Sequence, residues 1–131
     1  MKVRDLKRRF VLVLEDVLET ATLIRSLLTS SGFRVALAAD EQDAITRARA
    51  EPPDVVVISL DLETEQLIAV ADRIRENAGM ADQLPIVIFC VPTIPEGSEI
   101  EVRAKTYLVR PDDFNQLRTM LGRLLSAGSG A

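Results

Sequence analysis

The sequence contains no histidine, no tryptophan and a single cysteine. The absence of histidine excludes a histidine general base and a histidine-ligated zinc site. Because Cys90 is the only cysteine, neither an intrachain disulfide nor a CxxC site can form. Such sparse cysteine usage is typical of a reducing compartment, so we expect a cytoplasmic protein.

Long hydrophobic runs are also lacking. The apolar segments are short, such as residues 10–14 and 55–58, and neither of these approaches the length of a membrane span. The N-terminal sequence MKVRDLKRRF has no hydrophobic segment of the kind found in signal peptides. We therefore expect neither membrane contact nor secretion.

The charge of the chain is moderately acidic, with 16 Lys and Arg against 20 Asp and Glu and a formal net charge of −4. An acidic domain is a poor candidate for direct nucleic-acid contact. Residues 1–9 depart from this balance, since they hold five basic residues and one acidic residue. This basic N-terminal tail is either a solvated segment or a contact for an anionic partner.

The length of 131 residues fits one domain. Five apolar segments typical of strands alternate with segments of helical periodicity, and these five are residues 10–14, 33–38, 54–59, 86–90 and 106–109. This alternation predicts right-handed βαβ units. The expected fold is therefore a doubly wound, five-stranded parallel α/β sheet with helices on both faces.

The segment between the last two predicted strands is unfavourable for a helix, because it contains Pro92, Pro95 and Gly97. At most a short helix fits between Ser98 and Lys105, so the fourth helix is expected to be short or irregular. The segment is either a trimmed loop or a remodelled surface for a partner.

In doubly wound folds the working site lies beyond the carboxyl ends of the strands. Four segments fall at these ends, and they read VLVLED (11–16), PPDVVVIS (52–59), LPIVIFC (84–90) and YLVRP (107–111). Their order and spacing resemble the receiver domain of bacterial two-component response regulators. The resemblance implies a flavodoxin-like domain over residues 10–126, with residues 127–131 as a flexible tail or the start of a linker.

In that family an acidic pair and a phosphoacceptor Asp hold Mg²⁺, and the Asp receives a phosphoryl group from a kinase phosphohistidine. A Thr or Ser and a Lys then hold the phosphoryl group. By resemblance, the corresponding positions here are Glu15 and Asp16 (acidic pair), Ser59 (phosphoacceptor), Cys90 and Tyr107 (switch pair), and Arg110 and Pro111 (Lys-Pro step). The Lys-Pro bond of the family is cis, which implies a cis Arg110–Pro111 bond here.

Three of these positions, Ser59, Cys90 and Arg110, depart from the family pattern. Ser59 offers a neutral hydroxyl in place of a carboxylate, so it is a weak nucleophile and removes an anionic metal ligand. No cofactor is expected, and Glu15 and Asp16 are only weak candidates for holding a metal. Because the planar fork of Arg110 favours carboxylates, we expect it to pair with Asp16 or Glu15.

These departures predict a pseudo-receiver that is not an enzyme: a phosphorylation-independent protein–protein interaction module in signal transduction. Its partners would be other signalling proteins or an effector domain in a longer chain. The sequence leaves open whether the chain forms a homodimer. One alternative is a receiver phosphorylated at Ser59 or Asp61. Another is a flavodoxin-like small-ligand binder, which is disfavoured because the acidic loop 15–18 would repel phosphate.

For two residues the sequence leaves two alternative roles open. Cys90 is either a redox switch or a buried small hydrophobic residue. Tyr107 is either a switch aromatic or an aromatic at the edge of the surface.

Overall fold

The structure is a computed structural model that describes residues 9–89 and 92–130, with side chains through residue 125. The basic residues 1–8 and Cys90 lie outside the described residues, so the predictions made for them stay predictions. The elements in chain order are β1 (Phe10–Glu15), α1 (Leu18–Ser30), β2 (Arg34–Ala38), α2 (Glu41–Ala50), β3 (Val55–Ser59), α3 (Thr64–Asn77), β4 (Ile86–Phe89), β5 (Glu99–Arg103), β6 (Thr106–Val109) and α4 (Phe114–Gly130).

The strands form one sheet in the order β2-β1-β3-β4-β6-β5. All neighbours pair in parallel except β5 and β6, which pair antiparallel. Helices α2 and α3 contribute buried residues to one core cluster, and α1 and α4 contribute to a second. Since β1 and β3 supply side chains to both clusters, their continuous apolar sequences are explained by burial on both faces. The doubly wound α/β fold predicted from the sequence is confirmed.

The prediction for the region after β4 is wrong in one respect, because Glu99–Arg103 is a sixth strand and not a short helix. The sequence EIEVR alternates charged and β-branched residues with the two-residue period of a strand. Pro95 and Gly97 discourage a helix immediately before it. A tight turn at residues 104–105, with Lys105 at φ 60°, then joins β5 to β6 as a hairpin.

The turn end of the β5–β6 hairpin is anchored to α3 and to the loop after it. Arg75 near the end of α3 donates from Nη1 to the carbonyls of Ala81 (2.9 Å) and Leu84 (2.8 Å). Its Nη2 donates to the Lys105 carbonyl and to Thr106 Oγ1, each at 3.3 Å. Burial lowers the pKa of Arg75 from its usual value. The Arg75 guanidinium therefore joins α3 to the loop that follows it and to the turn of the hairpin.

The C-terminal helix extends beyond residue 126, where the sequence analysis expected the receiver-like domain to end. The backbone of α4 continues as a helix through Gly130, and the side chains after Leu125 lie outside the described part. Among the described residues, no helix is long and apolar enough to cross a membrane.

Candidate functional site

The candidate site lies at the carboxyl ends of β1 and β3, which are adjacent and parallel. Their register places Glu15, the last residue of β1, directly beside Ser59, the last residue of β3. Glu15 is buried (6% exposed), whereas Asp16 directly after the strand is exposed. The topology thus brings Glu15 and Ser59 together, as the sequence analysis expected for side chains at the ends of parallel strands.

A short hydrogen bond joins these two side chains. Ser59 Oγ donates to Glu15 Oε1 at 2.7 Å, and the backbone N–H of Val17 donates to Glu15 Oε2 at 3.1 Å. Both oxygens of the buried carboxylate therefore accept hydrogen bonds from this chain, as a buried carboxylate requires. The Ser59 hydroxyl in turn has its proton directed at Glu15.

An open cavity of about 260 Å³ lies over this pair. It is lined by acidic residues, by the loop that follows β3, and by residues near the end of β4, namely Glu15, Asp16, Val17, Ser59, Leu60, Asp61, Leu62, Leu67, Phe89 and Pro92. Asp61 is exposed and lies beyond the end of β3. Among the residues that the structure describes, no Lys or Arg side chain lines this cavity, so its described lining is acidic and unfavourable for an anion.

The magnesium site implied by the family resemblance does not fit the side chains gathered here. The strand ends offer Glu15, Asp16 and a neutral hydroxyl where the family has three carboxylates. Among the described residues, no group of three or more potential metal-ligating side chains comes together. Removing one carboxylate from such a set weakens binding of a hard divalent cation, because the negative charge of the oxygen ligands provides much of the affinity.

Arg110 is not where the sequence analysis expected it, and the predicted pairing with Asp16 or Glu15 is wrong. Its Nη1 donates instead to the carbonyls of Ile94 (3.0 Å) and Pro92 (3.4 Å). Nη1 of the guanidinium thus binds the backbone of the segment after β4, a contact that sequence spacing could not reveal.

The neighbouring Pro111 follows a trans bond, because the described residues contain no cis peptide. The cis Arg110–Pro111 bond implied by the resemblance is therefore also corrected. The Arg110 backbone hydrogen-bonds to the segment before β5, which continues the hairpin pairing past β6. This pairing fixes the backbone at the step where the family has its Lys-Pro sequence.

Tyr107 is half-buried in β6 and packs against the core cluster shared by α1 and α4. Burial raises the pKa of its hydroxyl, and the nearby negative charge of Glu101 raises it further. Glu101 lies opposite Tyr107 on β5, so the added strand covers the edge of β6 at this residue. The sequence analysis did not foresee this cover, because it predicted no strand there.

The sequence analysis also missed the residues that hold the segment between β4 and β5. Thr93 Oγ1 lies 2.9 Å from Thr64 Oγ1 in α3, and Ile94 is buried (9% exposed) in the core cluster of α2 and α3. The one available signal was Ile94 itself, an apolar residue between Pro92 and Pro95 in an otherwise polar segment.

Comparisons with known proteins agree with this architecture. A family model described as the response regulator receiver domain matches residues 11–122. The chain is 30% identical over 120 residues to the transcriptional regulatory protein AfsQ1 of Streptomyces coelicolor. The matched region covers 90% of this chain and 52% of that protein. It is 27% identical over 120 residues to the transcriptional regulatory protein ZraR of Klebsiella oxytoca, covering 88% of this chain and 26% of that protein. The chain thus spans about half or less of the length of these relatives.

Solved structures show the same likeness. The receiver domain of the sensor histidine kinase PA1611 from Pseudomonas aeruginosa, solved with a magnesium ion in its active-site cleft, is 25% identical with a TM-score of 0.64, covering 95% of this chain and 99% of that one. A sensor protein from Polaromonas sp. JS666 has a TM-score of 0.72 at 22% identity, covering 92% and 98% of the two chains. The second likeness is one of fold.

Proposed function

This chain belongs to the response regulator receiver domain family, and from this premise we propose that it is a pseudo-receiver. Receiver domains are signalling modules. In our proposal this one acts in signal transduction as a protein–protein interaction module whose state does not depend on phosphorylation, and it is not an enzyme. The observation that carries the proposal is the hydrogen bond from Ser59 to the buried carboxylate of Glu15.

That bond argues against phosphoryl transfer by the family's chemistry. The acceptor position has a neutral hydroxyl, and the nearest charged group is a carboxylate whose oxygens already accept hydrogen bonds. A phosphoryl group on Ser59 would place about two negative charges beside Glu15, in a cavity that no cation of the described part of the chain lines. Repulsion between like charges in a partly buried site would oppose the product.

The position of Arg110 supports the same proposal. Stabilising a phosphoryl group requires a positive charge directed at the transferred group. Arg110 directs its Nη1 at two backbone carbonyls instead. The residue at the family's cationic position therefore binds backbone carbonyls here, and no Lys or Arg of the described residues lines the cavity at Ser59.

A second candidate function is a receiver that is phosphorylated at a non-standard residue. Glu15 Oε1 is 2.7 Å from Ser59 Oγ, which is within reach for a general base that removes the hydroxyl proton. Asp61 is an exposed carboxylate that lines the same cavity. A flavodoxin-like ligand binder is disfavoured, since a phosphate-bearing cofactor would meet Glu15 and Asp16 without a compensating cation.

We further propose that the protein is cytoplasmic and that its partners are signalling proteins or an effector domain in a longer chain. Several relatives are named transcriptional or DNA-binding regulators, and this chain spans about half of their length or less. The acidic charge of the chain supports assigning any DNA contact to a different segment.

The experiment that tests the proposal is phosphorylation by a small phosphodonor. The protein is incubated with acetyl phosphate and Mg²⁺, and its intact mass is measured beside an active receiver domain as a positive control. We expect the control, but not this protein, to gain about 80 Da, the mass of one phosphoryl group. A stoichiometric adduct on this protein would reject the pseudo-receiver.

Two variants then identify the acceptor if an adduct forms. Loss of the adduct in Ser59→Ala, with resistance to hydroxylamine, would identify a serine phosphate. Loss in Asp61→Ala, with sensitivity to hydroxylamine, would identify an acyl phosphate. An adduct that survives both substitutions would reject both non-standard acceptors.

A further inference from the structure

The segment of residues 92–98, here called the strap, precedes β5 and borders the acidic cavity. It contains no helix and no strand, and it passes the cavity at Pro92. Two prolines limit its conformations but remove two backbone donors, so it cannot hold itself together by regular backbone hydrogen bonds. One backbone hydrogen bond lies within it, from the Ser98 N–H to the Pro95 carbonyl at 3.1 Å, and its other contacts are with the elements around it.

Arg110 supplies the most extensive of these contacts. Its side chain donates to the Ile94 and Pro92 carbonyls, its backbone carbonyl accepts from the Gly97 N–H at 2.6 Å, and its own N–H donates to the Ser98 carbonyl at 3.0 Å. One residue thus holds both ends of the strap. Both side-chain hydrogen bonds come from one nitrogen, Nη1, at the end of the long arginine side chain.

The other contacts fix the strap to the helices. Ile94 is buried in the core cluster of α2 and α3, and Thr93 pairs with Thr64 at the start of α3. Gln116 of α4 donates from Nε2 to the Gly97 carbonyl at 2.8 Å. These contacts lie on opposite sides of the sheet. The strap therefore closes over the end of the sheet between the two helical layers.

We propose that Arg110 is the latch of this strap, and that the strap opens as one unit, with the sheet intact, when the latch is released. Opening would withdraw Ile94 from the core and widen the acidic cavity at Pro92. The latch does not depend on whether a phosphoryl group is accepted, so it stands independently of the pseudo-receiver proposal.

Native-state hydrogen exchange tests the latch on the intact chain. In Arg110→Ala we expect the Gly97 and Ser98 amides to exchange at least about tenfold faster, the effect of losing one charge-assisted hydrogen bond in a local opening. The amides of β1 and β3 should keep their rates. Arg118→Ala is the matched control, because Arg118 contacts Asn115 on its own helix, and it should leave the strap unchanged.

Two results would overturn the proposal. One is an unchanged exchange rate at Gly97 and Ser98 in Arg110→Ala. The other is a uniform acceleration of all amides, which would indicate global destabilisation and no local latch. If Arg110→Ala does not fold, Arg110→Met retains the apolar stem, loses the donors and gives the same readout. Arg110→Lys should accelerate exchange less, since an ammonium can still reach one carbonyl.

Discussion

Arg75 offers the strongest test of how the β5–β6 hairpin is held. Its guanidinium joins the end of α3, the loop before β4 and the turn between β5 and β6. Arg75 is half-buried, and its hydrogen-bond acceptors are all neutral groups. The charged side chains of Asp72 and Asp82 lie nearby. Substitution by alanine removes the donors and leaves the Leu84 carbonyl without this partner in a partly buried position.

The expected loss follows from the geometry. Two of the hydrogen bonds are short, at 2.8 and 2.9 Å, and the others are 3.3 Å. A hydrogen bond from a charged donor is worth roughly 1.5–3 kcal/mol, so two short bonds contribute about 3–6 kcal/mol. Water that reaches the half-exposed carbonyls recovers part of this. We therefore expect Arg75→Ala to lower the free energy of unfolding by about 2–4 kcal/mol.

The assay is urea denaturation followed by circular dichroism, with the midpoint and the slope fitted separately. Arg49→Ala is the matched control, because Arg49 makes a single exposed hydrogen bond to the Asn77 carbonyl at the end of α3. The control should lose less than about 1 kcal/mol. If Arg75→Ala loses no more than Arg49→Ala, the reasoning about the hairpin anchor is wrong.

Two further predictions concern charge and backbone conformation. Arg73 lowers the pKa of Glu41 below its ordinary value of 4.5 through a two-point hydrogen bond, so this contribution to stability is present above pH 4.5 and is lost as the pH falls through the lowered pKa. Denaturation from pH 7 to 3 should therefore show Glu41→Gln less stable than wild type at neutral pH, with the difference closing below about pH 4.5; a constant difference would contradict this. Gly97 has φ 85°, and an added Cβ would lie 3.2 Å from Asp112 Oδ2, so Gly97→Ala should cost about 1–3 kcal/mol in unfolding experiments. Gly79→Ala, at φ 67° with open space, should cost less, and an equal cost would exclude the contact with Asp112 as a cause.

The added edge strand changes the surface that a partner would meet. In β5 the exposed Ile100 and Val102 alternate with charged residues, and the pairing with β6 is irregular between Glu101 and Arg103. Charges and a bulge on an edge strand discourage pairing with another chain. Where the sequence analysis expected at most a short helix, residues 92–103 form the strap and an edge strand of the hairpin.

The sequence by itself determined the alternating α/β fold and the location of the site. Continuous apolar segments can be buried only in a sheet covered on both faces, and parallel strands bring their carboxyl ends to one edge. This reasoning placed Glu15 and Ser59 together without knowledge of their contact. It worked because continuous apolar segments and the helical periodicity of the segments between them are local properties of the chain.

The tertiary structure alone decided what Arg110 contacts and what residues 99–103 become. Arg110 could be drawn to a carboxylate or to backbone carbonyls, and the outcome depends on where a strap about 16 residues earlier in the chain comes to lie. The segment EIEVR forms a strand because the edge of β6 is available to pair with it. Such choices are made by hydrogen-bond partners that are distant in sequence, so local periodicity could not fix them.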